Sequence, residues 1–164
     1  MNRVAVTVIL AAAGLLFGGH VRAQQPAAPP AYGVPITLEQ ARKVAAAAAA
    51  EAKKNNWGMA ISVVNGSGDL VYFESLDGTQ YASNDIAIHK ARVAARFRRP
   101  TKIFEDRMAE GPANAYLVTL DGIIGSQGGV PIIVDGKIVG AIGVSGGTGP
   151  QDNQTATAGA SGLK

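Results

Sequence analysis

The stretch Pro131-Ile132-Ile133-Val134-Asp135-Gly136-Lys137-Ile138-Val139-Gly140-Ala141-Ile142-Gly143-Val144 decides the fold. Two runs rich in β-branched residues, Pro131 to Val134 and Ile138 to Val144, flank Asp135-Gly136. That dipeptide accepts the positive φ angles of a tight hairpin turn, so the stretch predicts two antiparallel strands. Upstream the pattern recurs: Met59 to Val64 and Leu70 to Phe73 surround Asn65-Gly66-Ser67-Gly68-Asp69. Ala115 to Leu120 adds one more short apolar run suited to a strand.

Helix signals lie between and outside these hairpins. Thr37-Leu38-Glu39-Gln40 fits a capping box, in which the Thr hydroxyl and the Gln side chain satisfy amides of the first turn. An alanine-rich helix follows to about Asn56, stopped by Asn55-Asn56 and Gly58. Ser83 or Asn84 is placed to cap a second helix reaching Arg99, and Pro100 ends it. Thr101 with Glu105 starts a short third helix, and a weak last one runs from about Asp152 to Leu163. Helix, hairpin, helices, hairpin, helix is the order of an α+β domain: a central antiparallel sheet of about five strands with helices packed on it.

The chain has 164 residues, 47% of them hydrophobic, no cysteine, and a formal charge of +3. That length suits one domain. Absence of cysteine excludes a disulfide scaffold, a thiol enzyme, a zinc finger and an iron–sulfur protein.

Much of the charge sits at the start. Met1-Asn2-Arg3 is basic, Val4 to Gly19 is apolar, and His20-Val21-Arg22-Ala23 offers a cleavage site after Ala23. Residues 1–23 therefore read as a secretory signal peptide, too short in its apolar run for the ~20 residues of a span. Its removal takes 23 of the 164 residues and leaves 141; with it go Arg3 and Arg22 and no acid, which lowers +3 by two to +1. The expected location is periplasmic or secreted, with no membrane attachment after cleavage. Residues 24–35 (QQPAAPPAYGVP) read as a flexible Pro/Ala tether, and residues 36–164 as the domain.

From Gly122 to Gly149 there are ten glycines in 28 residues, so backbone geometry dominates there. Neither a phosphate-loop nor a dinucleotide fingerprint occurs among them. Gly143-Val144-Ser145-Gly146-Gly147 matches G-x-S-x-G, but a nucleophile elbow needs a histidine later in the chain and none follows Ser145. No catalytic triad, thiol or metal-enzyme motif is found, which argues against an enzyme.

The second helix carries more chemistry. Val93, Phe97, Ala94 and Ala87 fill one apolar arc, and Lys90 falls inside it. A lysine there must snorkel, pair with an acid or face a ligand. His89 stands at the border of the arc, with Arg92 and Arg96 on the same flank. An imidazole between an apolar wall and cations is what a haem site requires: a nitrogen for iron, apolar contact for porphyrin, and cations for propionates. A lone border histidine is more often a surface residue, and arginines nearby a solvated face, so both readings stay open. Nucleic acid is not an expected partner, because the mature charge is near +1 and few aromatics accompany the basic run Lys90 to Lys102.

Taken together, Ser83-Asn84-Asp85-Ile86-Ala87-Ile88-His89-Lys90-Ala91-Arg92, Arg99-Pro100-Thr101, Gly128-Gly129-Val130-Pro131 and Gly136 to Gly147 followed by Gln151-Asp152 resemble the GlcG/HbpS-like haem-binding family. The resemblance spans Thr37 to Leu163. It implies a profilin-like α/β/α sandwich, with helices on both faces of the sheet, and frequent homo-oligomers. It also implies haem binding without settled turnover, and kinship with the C-terminal domain of PduO-type adenosyltransferases. Lys90, Gly143, Gly146 and Gly147 match the family pattern.

On this reading the chain is an exported haem- or tetrapyrrole-binding carrier, scavenger or sensor component. His89 is the candidate axial metal ligand, with Tyr81, Met59 and Met108 as competitors. Lys90 and Arg96 are candidate propionate partners, Val93 and Phe97 the porphyrin wall, and Gly146 and Gly147 permit close backbone approach. The alternatives are an accessory oligomer indifferent to haem, and a small enzyme acting on an organic acid or on haem through Lys90.

Overall fold

A computed structural model describes residues 28–163. The signal-peptide expectation over residues 1–23 lies outside the described residues. Helix α1 spans Leu38–Lys54 and opens on the expected capping box: Gln40 N donates to Thr37 Oγ1 (3.2 Å), and Thr37 N to Gln40 Oε1 (3.0 Å). Strands β1 (Ala60–Asn65) and β2 (Leu70–Ser75) form the first hairpin, and β3 (Gly129–Val134) and β4 (Lys137–Ser145) the second. Asp135 and Gly136 take φ of 49° and 72° at its turn, as that dipeptide favours. Helix α2 is Ala82–Phe97, α3 is Lys102–Ala109, and α4 is Gly149–Ala160.

The strands form one antiparallel sheet in the order β2-β1-β4-β3. It has four strands among the described residues rather than about five. The difference lies in Ala115 to Leu120, where the chain makes a 3-10 helix, Pro112–Thr119, instead of a strand. Pro112 opens that turn structure, and Leu117 alone turns inward, so the segment lacks the alternation that a sheet face demands.

Alternation along the central strands sorts the two cores. Ile61 and Val63 of β1, with Ile142 and Val144 of β4, face α1 and α4. Val64 and Ala141 face Ala91, Ala94 and Ala95 of α2 on the opposite side. Helices therefore cover both faces, and small residues let α2 lie close to the sheet. Gly143 shows how close: a Cβ there would stand about 2.0 Å from the backbone oxygen of Ala87.

Three capping details differ from the sequence reading. Helix α2 starts at Ala82, before either expected cap, because the buried Ser83 hydroxyl accepts from Ser145 Oγ (3.3 Å) and Gln80 Nε2 (3.1 Å) instead. Thr101 Oγ1 likewise accepts from Gly129 N (2.9 Å) rather than capping α3, and so ties that helix to the edge of β3. Arg98, at φ 55°, turns the chain out of α2 before Pro100 is reached.

The C-terminal part of the Pro/Ala stretch is docked rather than a free tether. Gly33 N donates to Ile138 O (2.8 Å), Ile138 N to Ala31 O (2.9 Å) and Ile36 N to Val139 O (2.8 Å). These residues take up the edge of β4 that β1 leaves after Asn65 pairs with Gly140. Tyr32 then reaches across and donates its hydroxyl to Ala95 O (3.0 Å) at the end of α2. Backbone that would otherwise be unpaired explains the docking, which composition alone does not reveal.

Candidate functional site

Helical spacing puts His89, Arg92, Arg96 and Phe97 on one flank of α2. Facing them is the turn Asp121-Gly122, carried by the 3-10 segment. These six residues line a cleft of about 240 Å³. His89 Nε2 lies 3.2 Å from the carbonyl oxygen of Gly122, so the imidazole bridges the two walls. Behind the cleft, Val93, Phe104 and Leu117 make a small core of their own, on which Phe97 packs. Phe97 and Phe104 meet edge to face, with ring centroids 5.2 Å apart, which fixes the Phe97 ring.

Both arginines are held at the other end. Arg92 Nε donates to Gly68 O (3.2 Å) and Arg96 Nε to Ser67 O (2.9 Å), consecutive carbonyls of the β1–β2 turn.

Lys90 is elsewhere. Its side chain reaches from α2 past β4 to α4, is 1% exposed, and donates to Asp152 Oδ2 (2.7 Å) and Val144 O (3.2 Å). Asp152 Oδ1 accepts from Gly147 N (2.9 Å). Burial pushes the Asp152 carboxyl above its ordinary value, against the Lys90 ammonium and the amides of Gly147 and Gly146. Of the three fates open to a lysine in an apolar arc, pairing with an acid is the one realised.

The structure thus brings together His89, Arg96 and Phe97, and places Val93 directly beneath them. Lys90 does not reach their cleft; Arg92 stands beside Arg96 where Lys90 was expected. Gly147 serves the Asp152 carboxylate, and Gly146 lies against Gly58 and Met59, so neither glycine lines the cleft. Among the competing ligands, Met59 is buried in the core under α1, and Tyr81 is 93% exposed at the start of α2. Only Met108 packs with the cluster behind the cleft.

Sequence reasoning missed Asp121, Gly122 and the β1–β2 turn, since nothing local shows that a loop will fold over a helix flank. Asp152 carried a usable signal. A lysine in an apolar arc needs an acid from another element, and Gln151-Asp152 opens the helix that follows β4.

Among the described residues no three His, Cys, Asp or Glu side chains converge as a protein-held metal ion requires. His89 alone suits a metal whose other positions are filled by its own macrocycle, and the arginines and Phe97 suit the carboxylates and ring of such a group.

The family model described as "Haem degrading protein HbpS-like" matches residues 36–161. The chain belongs to the HbpS-like family. This HbpS-like domain is 40% identical over 110 residues to Protein GlcG of Escherichia coli (strain K12), covering 67% of this chain and 81% of that protein. It superposes on the crystal structure of HbpS with a TM-score of 0.73 at 32% identity, covering 80% of this chain and 92% of HbpS. The fold is shared with the crystal structure of a PduOC–haem complex: TM-score 0.71, 21% identity, 79% and 95% covered.

Proposed function

We propose that the cleft between α2 and the Asp121-Gly122 turn binds haem or a related tetrapyrrole, and that the protein is an exported carrier, scavenger or sensor component. One observation carries the reading: an imidazole, two guanidinium groups and a fixed aromatic ring converge in one cleft. His89 would supply an axial nitrogen, Arg92 and Arg96 the partners of the propionates, and Phe97 the apolar contact. Membership of a family described by haem supports it. When bound, the iron would supply ligand exchange and one-electron chemistry.

The size of the cleft supports carriage over catalysis. At about 240 Å³ it is below the roughly 300–1,000 Å³ of pockets that bury a drug-sized ligand. A ligand held by an edge stays open to solvent and to transfer. Lys90, the candidate for an enzyme acting on haem or an organic acid, has its ammonium closed inside the Asp152 pair.

Titrating haem into the purified protein should give a saturable Soret shift, weakened by His89→Ala. A spectrum that never saturates would sink the assignment.

Self-association is the second reading. Tyr116 and Val118 of the 3-10 segment and Leu120 just beyond it are exposed large apolar side chains, surface that a second copy of the chain could cover. Light scattering showing a monomer at all concentrations would remove it.

A further inference from the structure

Resting on the tetrapyrrole reading, we infer that Arg92 and Arg96 form a clamp, set by the β1–β2 turn, that selects ligands carrying two carboxylates. Gly68 is its positioning residue.

The turn is locked before the arginines reach it. Asn65 Oδ1 accepts from Ser67 N (2.9 Å) and Asp69 N (3.0 Å), and Asn65 O accepts from Gly68 N (3.0 Å). Three bonds from one residue hold the carbonyls of Ser67 and Gly68 in fixed directions, and each takes the Nε–H of one arginine. A guanidinium tied at Nε is pre-oriented, and its terminal nitrogens keep the paired donors that match a carboxylate. Two such groups one helical turn apart, both lining the cleft, suit two carboxylates rather than one.

Gly68 is buried at φ 91°, and a Cβ there would lie 2.8 Å from Arg96 Nε and 3.4 Å from Arg92 Cγ. Only glycine accepts that backbone without strain while leaving the space that both arginine stems fill.

Asp121 lines the same cleft from the opposite wall. Its charge repels a ligand carboxylate on that side, which orients the acidic edge of the ligand toward the arginines.

The test compares ferric protoporphyrin IX with its dimethyl ester, which keeps ring and iron and loses both negative charges. The acid should bind roughly tenfold or more tightly, the size expected for charge-assisted hydrogen bonds. Arg92→Gln and Arg96→Gln should each lower that preference, and the double variant should abolish it. Gly68→Ala should act in the same direction, and Asp121→Asn in the opposite one. Equal binding of acid and ester overturns the clamp while the haem reading stands.

If neither porphyrin binds, the haem reading falls, and titration with glutarate decides the clamp. Saturable shifts of the Arg92 and Arg96 Nε–H resonances sustain it. Their absence overturns it.

Discussion

The ammonium of Lys90 and the carboxylate of Asp152 meet at 2.7 Å with side chains 1% and 4% exposed, joining α2 to the first turn of α4 through the sheet edge. The contact satisfies both charges in a place where neither can reach water. Removing either partner leaves a buried charge alone, whereas removing both does not.

Lys90→Met should therefore cost about 3–5 kcal/mol of folding stability. Lys90→Met combined with Asp152→Leu should recover most of the loss. Urea unfolding of Lys90→Met, Asp152→Leu and the double variant, read with the parent protein as a double-mutant cycle, checks this; a double variant as unstable as either single one would contradict it.

Acid should loosen α1 from α4. Gln154 Nε2 donates to Glu51 Oε1 (2.6 Å), and this bond, ahead of weaker opposing desolvation, holds the Glu51 carboxyl below its ordinary 4.5. A depressed folded value means that the contribution is present above the unfolded value and is lost as pH falls through the folded one. NMR titration of Glu51 should show a value below 4.5, and Gln154→Ala should move it upward. No movement would show that Gln154 is not the cause.

Gly143→Ala should destabilise by about 1–3 kcal/mol or more, because the added methyl meets the α2 backbone rather than a side chain that can rotate away. Thermal unfolding reads the loss. A neutral outcome would mean that α2 can lift off the sheet at low cost.

Tyr32→Phe removes the hydroxyl that donates to Ala95 O and should cost about 0.5–1.5 kcal/mol. Hydrogen exchange at the amide of Ile138, which the docked segment protects through Ala31 O, should accelerate in the same variant. Unchanged exchange would separate the two ends of the strap.

Much of the fold was legible because the deciding signals are local. Asp135-Gly136 sets its own turn, and Thr37 with Gln40 caps α1 within four residues. Where Ser83 and Thr101 misled, their hydroxyls serve long-range partners, Ser145 and Gly129, that no local pattern displays. The candidate site divides in the same way. His89, Arg92, Arg96 and Phe97 follow from helical spacing, while Asp121, Gly122 and the Ser67-Gly68 carbonyls arrive from separate segments. Lys90 could be recognised as unusual from its place in an apolar arc, but which of its three fates applies depends on Asp152, 62 residues away.

The middle of the sheet pairs Ala60 with Ser145 and Asn65 with Gly140. A partly synthesised chain that ends before β4 can form α1, the first hairpin and α2, yet it lacks the strand against which α2 packs most extensively. Loop-closure entropy predicts that the pairing of β4 with β1, which closes a large loop, forms late in folding. Until that moment the strand β1 has one open edge, so the interval between synthesis and completion is when this domain is most exposed to mispairing with its neighbours.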